Sequence, residues 1–387
     1  MCSRAPLDAG LRDWCPYGSV VAVSFQRALA VAVAAIALGS PNASSDEPAH
    51  PEHEATAASP ASRHQFWKLG PGRDVDYTSM WRYMLPLNHP AVVSVADAKH
   101  MRDDDLVLGV VADGEARAYP WWILTKYHVA NDTIGKRPVF VAICEVCTGG
   151  AAFSSVVDEH NLSFQLCGLK NGTFEVCDWE TSSRWLPFNG EAYEGSLAGR
   201  RLEQLPFVYM RWKDWSSEYP SSTVVLGGSE LRKRGHGIQF LPGSKGIAEA
   251  LLRTLHTEDA RLEKNELVFG LVPEQGGNGK AYPLAWIREQ GGLVQDEVDE
   301  RPVLVIVRGE FGASAYVRRI GESTLDLDRV STDPLEMRDK RTGTLWTLVG
   351  TDVKNGRFAA AKLPLARGYV TEWYEWVNNF PRTDIAQ

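Results

Sequence analysis

Cys144 and Cys147 stand two residues apart in Ile143-Cys-Glu-Val-Cys-Thr148. Two thiols at that spacing can close on one metal ion or on each other. His128 precedes them, and Cys167 follows. Together Cys144, Cys147, His128 and Cys167 form a sulfur-rich set with one imidazole, which suits Zn²⁺ or Cu⁺. Asn131 and Asp132 lie close enough in sequence to His128 to orient its ring as outer partners of a metal ligand. A dithiol/disulfide redox pair and a plain structural disulfide are the competing chemistries. A helix right after the second cysteine would favour the redox version by lowering a thiol pKa, but Gly149-Gly150 and a strand-like run follow instead.

The chain has 387 residues, 44% of them hydrophobic, so it can bury one large or two ordinary cores. Its formal charge is −8, and its densest basic run is only Arg232–Arg234. Nothing in that distribution fits a nucleic-acid surface. Thirteen tryptophans supply large buried area. Arg27 followed by the apolar run Ala28–Gly39 reads as a signal peptide or an anchor over residues 1–44. The expected location is periplasmic or extracellular, with no membrane segment beyond that one. Residues 45–65, with His50 and His53, have no apolar periodicity and read as a disordered linker. Of the six cysteines, Cys2 and Cys15 precede the apolar run, and the other four fall within Cys144–Cys177.

The elements that must hold the site have period two more than 3.6, which predicts a β-rich core. Leu106–Ala112 reads as a buried strand, Asp113-Gly114 as a tight turn, and Glu115–Tyr119 as the returning strand. Pro120 opens a short helix over Trp121–Lys126. Asn131–Arg137 is polar and reads as a loop, and Pro138–Cys144 is the next strand. Ala151–Val157 and Leu162–Leu169 read as a hairpin across Asp158–Asn161. Between the halves, Ser244–Leu255 has the spacing of a capped amphipathic helix, and His236 sits in a loop before it.

Motifs recur in order between Asp105–Pro220 and Asn265–Pro381. Leu106-Val-Leu-Gly-Val-Val111 is answered by Leu267-Val-Phe-Gly-Leu-Val272, and Arg117-Ala-Tyr-Pro120 by Lys280-Ala-Tyr-Pro283. Asp178-x-x-Thr181-x-x-x-Trp185 is answered by Asp339-x-x-Thr342-x-x-x-Trp346, and Trp212–Pro220 by Trp373–Pro381. A duplicated module explains this pattern. It also supplies an internal control. Residue types kept in both halves read as scaffold, and the Asp-x-x-Thr pair reads as a side-chain-to-backbone turn cap. The chemistry-bearing types differ: His128 becomes Gly292, Cys144 becomes Arg308 and Cys147 becomes Phe311.

These motifs resemble the family of proteins of unknown function designated DUF3179. The residues that carry the likeness are Asp103-Asp-Asp-Leu-Val-Leu-Gly-Val110, Gly114-Glu-Ala-Arg-Ala-Tyr-Pro120, Asn131-Asp-Thr-Ile-Gly135, the two cysteines with Phe153, and Asp178-x-x-Thr181-x-x-x-Trp185. The likeness covers about Pro90–Pro220, and the second half looks like a diverged copy. It implies a bacterial or archaeal protein that is secreted or membrane-associated, and no particular reaction. Family members usually have Cys-Pro-Leu-Cys where this chain has Cys144-Glu-Val-Cys147, so the turn lacks the rigidity of a proline. Cys167 and Cys177 fall where the family usually has other residues, which leaves a private pair or an added ligand.

The expected protein is β-rich α+β, with two tandem modules of short antiparallel strands and few helices packed as a pseudo-symmetric unit. The first module spans 66–220 and carries the Cys/His site. A linker with a helix spans 221–263, and the second module spans 264–387. The leading chemistry is soft-metal binding, copper or zinc, with a metal-dependent oxidoreductase as its catalytic form. A thiol-disulfide redox protein and a non-catalytic structural module are the alternatives. The substrate, small molecule or protein, is left open.

Overall fold

A computed structural model of the chain describes residues 85–228, 249–274, 277–332, 335–347, 353–355 and 363–387. The expected signal segment, the linker with His50 and His53, and His236 lie outside the described residues.

The first half opens with β1 (Leu106–Ala112) and β2 (Glu115–Pro120), joined by the expected tight turn with Asp113 and Gly114 at positive φ. Pro120 then starts α1 (Trp121–Tyr127), and His128 ends it in the left-handed conformation, φ 61°. β3 (Val129–Ile134), β4 (Arg137–Ile143) and β5 (Gly150–Ser154) form an antiparallel run. β6 (Phe164–Lys170) and β7 (Thr173–Asp178) form a hairpin in a separate sheet. β8 (Phe207–Arg211) returns to pair with β1 and leads into α2 (Trp212–Glu218).

The second half presents the same succession. β9 (Leu267–Leu271), β10 (Lys280–Pro283) and α3 (Leu284–Glu289) precede β11 (Leu293–Val298), β12 (Arg301–Arg308) and β13 (Gly312–Val317). β14 (Leu327–Thr332) pairs with β15 (Leu335–Asp339). β16 (Gly368–Glu372) returns to β9 and leads into α4 (Trp373–Asn379). Most pairings are antiparallel. Thr223–Val225 on β2 and Asp384–Ile385 on β10 add parallel edges at matching places.

Buried side chains explain why both halves keep certain residues. Trp215 of α2 lies on Gly109 of β1, where a Cβ would sit 1.9 Å from the indole. Trp376 of α4 lies on Gly270 of β9 in the same way, at 2.1 Å. Each indole N–H reaches a hydroxyl, Ser222 at 2.9 Å and Thr383 at 3.0 Å. Tyr119 and Arg117 hold Asp132, at 2.7 and 2.6 Å; Tyr282 and Lys280 hold Asp296, at 2.8 and 2.6 Å. The Asp-x-x-Thr caps form in both halves, through Asp178 with Thr181 and Asp339 with Thr342.

Three local expectations need correction. Asn131–Arg137 is not a loop: Asn131 pairs opposite Phe140 and Asp132 opposite Val139 within β3 and β4. The stretch is polar because its side chains have buried partners, and only Gly135-Lys136 makes the turn. Likewise, the strands around Ala151 and Leu166 do not pair with each other. β5 pairs with β4 and β6 with β7, while Val156–Val157 and His160–Asn161 make a two-residue hairpin between them. The helix expected over Ser244–Leu255 is formed over Glu249–Leu252, with 244–248 outside the described residues.

One core runs through both halves. Cys144, Cys147, Phe153, Phe174 and Trp185 share a buried cluster with Val268, Tyr369, Trp373 and Trp376. Reciprocally, Phe311 of the second half is buried with Trp121, Leu205 and Tyr209 of the first. Each half thus inserts its β4–β5 or β12–β13 turn into the other.

Candidate functional site

β4 ends at Ile143 and delivers Cys144 into the core; the chain then turns through Glu145 and Val146 to Cys147. Both cysteines are free thiols, 3% and 0% exposed. The backbone N–H of Cys147 points at Cys144 Sγ, 3.4 Å away, and Cys147 Sγ lies 3.3 Å from the hydroxyl of Thr173 at the start of β7. Burial alone would push the Cys144 thiol up. Hydrogen bonds from the Cys147 side chain and N–H, the Val146 N–H and Thr173 outweigh it and hold Cys144 below its ordinary value. Cys147 goes the other way. Burial raises it, and so do its hydrogen bond to Cys144 and the charges of Cys144 and Glu375.

The second half closes the turn. The Cys147 carbonyl accepts from the Glu372 N–H at 3.0 Å and from the Thr371 hydroxyl at 2.9 Å. The Thr148 hydroxyl donates to Glu372 Oε1 at 3.2 Å. Gln204 bonds both backbone groups of Gly368, each at 2.9 Å, and so fixes β16 against the first half. From α4, Glu375 sits fully buried, bonded to Asn379 at 2.7 Å and Tyr369 at 3.4 Å. Burial drives its carboxyl up to about 8, with Cys144 adding to the rise against its hydrogen bonds from Thr371 and Tyr369. Glu145, on the partly exposed side of the turn, is raised by burial to about 7. The charge of either thiolate would raise Tyr209 and Tyr374 further than burial already does, so both rings stand near the pair. The Tyr209 and Tyr374 hydroxyls and Glu375 Oε2 are buried with no hydrogen-bond partner among the described residues.

The other predicted site residues lie elsewhere. Cys167 is disulfide-bonded to Cys177 across the β6–β7 hairpin, so its sulfur is not a free ligand. His128 is buried, and its ring stands edge-on to Phe174 at 5.6 Å. Phe174 is the neighbour in the chain of Thr173, the residue that meets Cys147. Asn131 does not act as a ring-orienting partner: its amide donates to Asn88 and to the Phe164 carbonyl and accepts from the Phe164 N–H, all at 2.8 Å. Asp132 is engaged by Arg117 and Tyr119. Among the described residues no group of three or more His, Cys, Asp or Glu side chains is placed to hold a metal ion.

Thr173, Glu372, Tyr374 and Glu375 are the residues that sequence reasoning missed. A signal for the last two existed: Trp373-Tyr-Glu-Trp376 answers Trp212-Lys-Asp-Trp215, so Tyr374 stands where the first half has Lys213. The arrangement can hold one thiol ready to ionise, a second thiol protonated beside it, and a buried carboxyl near neutral pKa to exchange protons with them.

The chain belongs to the family described as Protein of unknown function (DUF3179), which matches residues 86–385. The match runs through both halves, well past the Pro90–Pro220 expected from the motifs. No curated protein and no solved structure matches.

Proposed function

We propose that this chain is a thiol–disulfide redox protein that works outside the cytoplasm, with Cys144 as the attacking thiol and Cys147 as the resolving one. The observation that carries the reading is the opposed tuning of two thiols in hydrogen-bond contact, beside a buried carboxyl near neutral pKa. Cys144 loses its proton to solvent, and its thiolate attacks a sulfur of a partner disulfide. One partner thiolate leaves, and a mixed disulfide forms. Cys147 gives its proton to the ionised form of Glu375, and its thiolate then attacks Cys144 Sγ and expels the second partner thiolate. Two electrons pass to the partner disulfide, two protons follow them, and Cys144–Cys147 becomes a disulfide. Access runs over Glu145 and Val146, the partly exposed residues of the turn. Export rests on the Arg27–Gly39 segment. The second half is read as a diverged copy of the first that supplies Glu372, Tyr374 and Glu375 as the inner wall.

Soft-metal capture by the same two thiols is the second reading, favoured by their mutual contact, since paired thiolates select Cu⁺. A closed zinc site needs four ligands, and Cys167 is engaged elsewhere.

Differential alkylation with peptide mapping across a glutathione series tests the first reading. Cys144 and Cys147 should exchange together between dithiol and disulfide at a defined potential while Cys167–Cys177 stays closed. A pair that never interconverts short of unfolding overturns it. Stoichiometric copper that is retained on purification and lost in Cys144→Ser would move the assignment to the second reading.

A further inference from the structure

The second half has no thiols where the first has its pair, and a cavity of about 480 Å³ lies there. Gly292 takes the backbone place of His128: the Val307 N–H bonds its carbonyl at 3.0 Å, as the Ile143 N–H bonds that of His128 at 2.9 Å. Arg308 ends β12 as Cys144 follows β4. Arg329 corresponds to Leu166, since both sit just before the register shift in their hairpins. The Arg329 guanidinium fills the space a side chain at 292 would need, with Nη2 2.8 Å from where a Cβ would be.

Arg288, Arg308 and Arg329 all line this cavity. Arg308 is paired with Glu218. Neither Arg288 nor Arg329 makes an ion pair among the described residues; each donates to a backbone carbonyl, of Glu310 and Gly292 respectively. Nε of Arg329 is buried without a partner. Asp214 and Glu218 are the acids on the lining, so the cavity is net positive in a chain of charge −8. A half-buried guanidinium with an unbonded edge is costly to leave without an anion. Its planar fork matches an oxyanion's geometry.

We infer that the second half carries a binding site for a small oxyanion, a carboxylate or phosphate, held by Arg329 and Arg288 on the cavity that Arg308 also lines. A cavity of this volume accommodates a small organic acid or phosphate ester. The site stands on its own geometry and does not depend on the redox reading.

Isothermal titration of the full chain with inorganic phosphate and with succinate, at ionic strength matched with chloride, tests it. At least one anion should give saturable binding, and which one binds assigns the class. Arg329→Met should weaken that binding at least tenfold and Arg288→Gln about threefold, the usual loss for charged and for rim contacts respectively. Glu218→Gln should strengthen it by releasing Arg308, and Cys144→Ser should leave it unchanged. If Arg329→Met fails to fold, Arg288→Gln and Glu218→Gln decide the matter. No saturable binding of either anion, or binding indifferent to Arg288 and Glu218, overturns the inference.

Discussion

The turn after β4 and the turn after β12 come at the same step in the order of elements of their halves and carry opposite chemistry. The first holds two thiols, and α4 of the second half brings Glu375 and Tyr374 to it. The second holds Arg308, and α2 of the first half brings Glu218 to it as a partly buried ion pair. In both, a strand–helix corner from one half closes a turn from the other. The frame therefore dictates where a reactive group goes but not which group it is. Neither turn is complete without the opposite half, so the site is a property of the whole chain.

The largest expected effects come from the two tryptophans that set those corners. Trp215→Ala and Trp376→Ala each remove a fully buried indole and its N–H hydrogen bond, so each should cost about 5 kcal/mol by chemical denaturation. Within the folded fraction, only Trp376→Ala should change the alkylation rate of Cys144, because of these two helices α4 shares a buried cluster with the thiols and α2 does not. Equal effects from both would mean that the corners are not assigned to separate turns.

Glu375 gives the next effect, and it depends on pH. Its folded pKa, about 8, lies above its ordinary value of 4.5. Below pH 4.5 it is protonated folded or unfolded and contributes nothing. As pH rises toward 8, ionisation favours the unfolded chain, and stability falls by roughly 4 kcal/mol. Glu375→Gln should remove most of that fall while leaving stability near pH 4 unchanged. Denaturation curves at pH 4.5 and 8 provide the check, and parallel pH profiles in the two proteins would contradict the assignment.

Breaking the Cys167–Cys177 disulfide by Cys167→Ser with Cys177→Ser should cost about 3 kcal/mol, the loop entropy of a short closed loop. It should leave the Cys144–Cys147 potential in place, which separates the private pair from the working one. The smallest effect is that of Thr173→Val. Losing one hydroxyl contact to the thiols should cost about 1 kcal/mol and slow alkylation of Cys144 severalfold by raising its pKa, with little change in fold.

Much of this frame was legible in the chain. The tight turn at Asp113-Gly114, the helix after Pro120, the paired cysteines and the Asp178–Thr181 cap all follow from local chemistry, and local chemistry is what a sequence displays. The errors arose where a polar side chain had a distant partner. Asn131 looked like loop because its partners, Asn88 and Phe164, are 43 and 33 positions away. Glu375 carries no signal of its own in the sequence, because the first half has an acid, Asp214, at the matching place. Tyr374 stands where the first half has Lys213, on a helix that shares a buried cluster with the thiols. Cys167 reads as a ligand in the sequence because nearness along the chain is indistinguishable from nearness in space until the β6–β7 register is known.

The bond from the Thr371 hydroxyl to the Cys147 carbonyl joins residues 224 positions apart. Contacts of that range form late in folding, because the long intervening loop must close first. The stretch that covers the dithiol is therefore synthesised 224 positions after Cys147. Until it docks, Cys144 and Cys147 share an open chain with Cys167 and Cys177, and mispairing among the four competes with folding. Prompt closure of the short β6–β7 hairpin removes two of the four competitors early, which gives that disulfide a kinetic role besides its stabilising one.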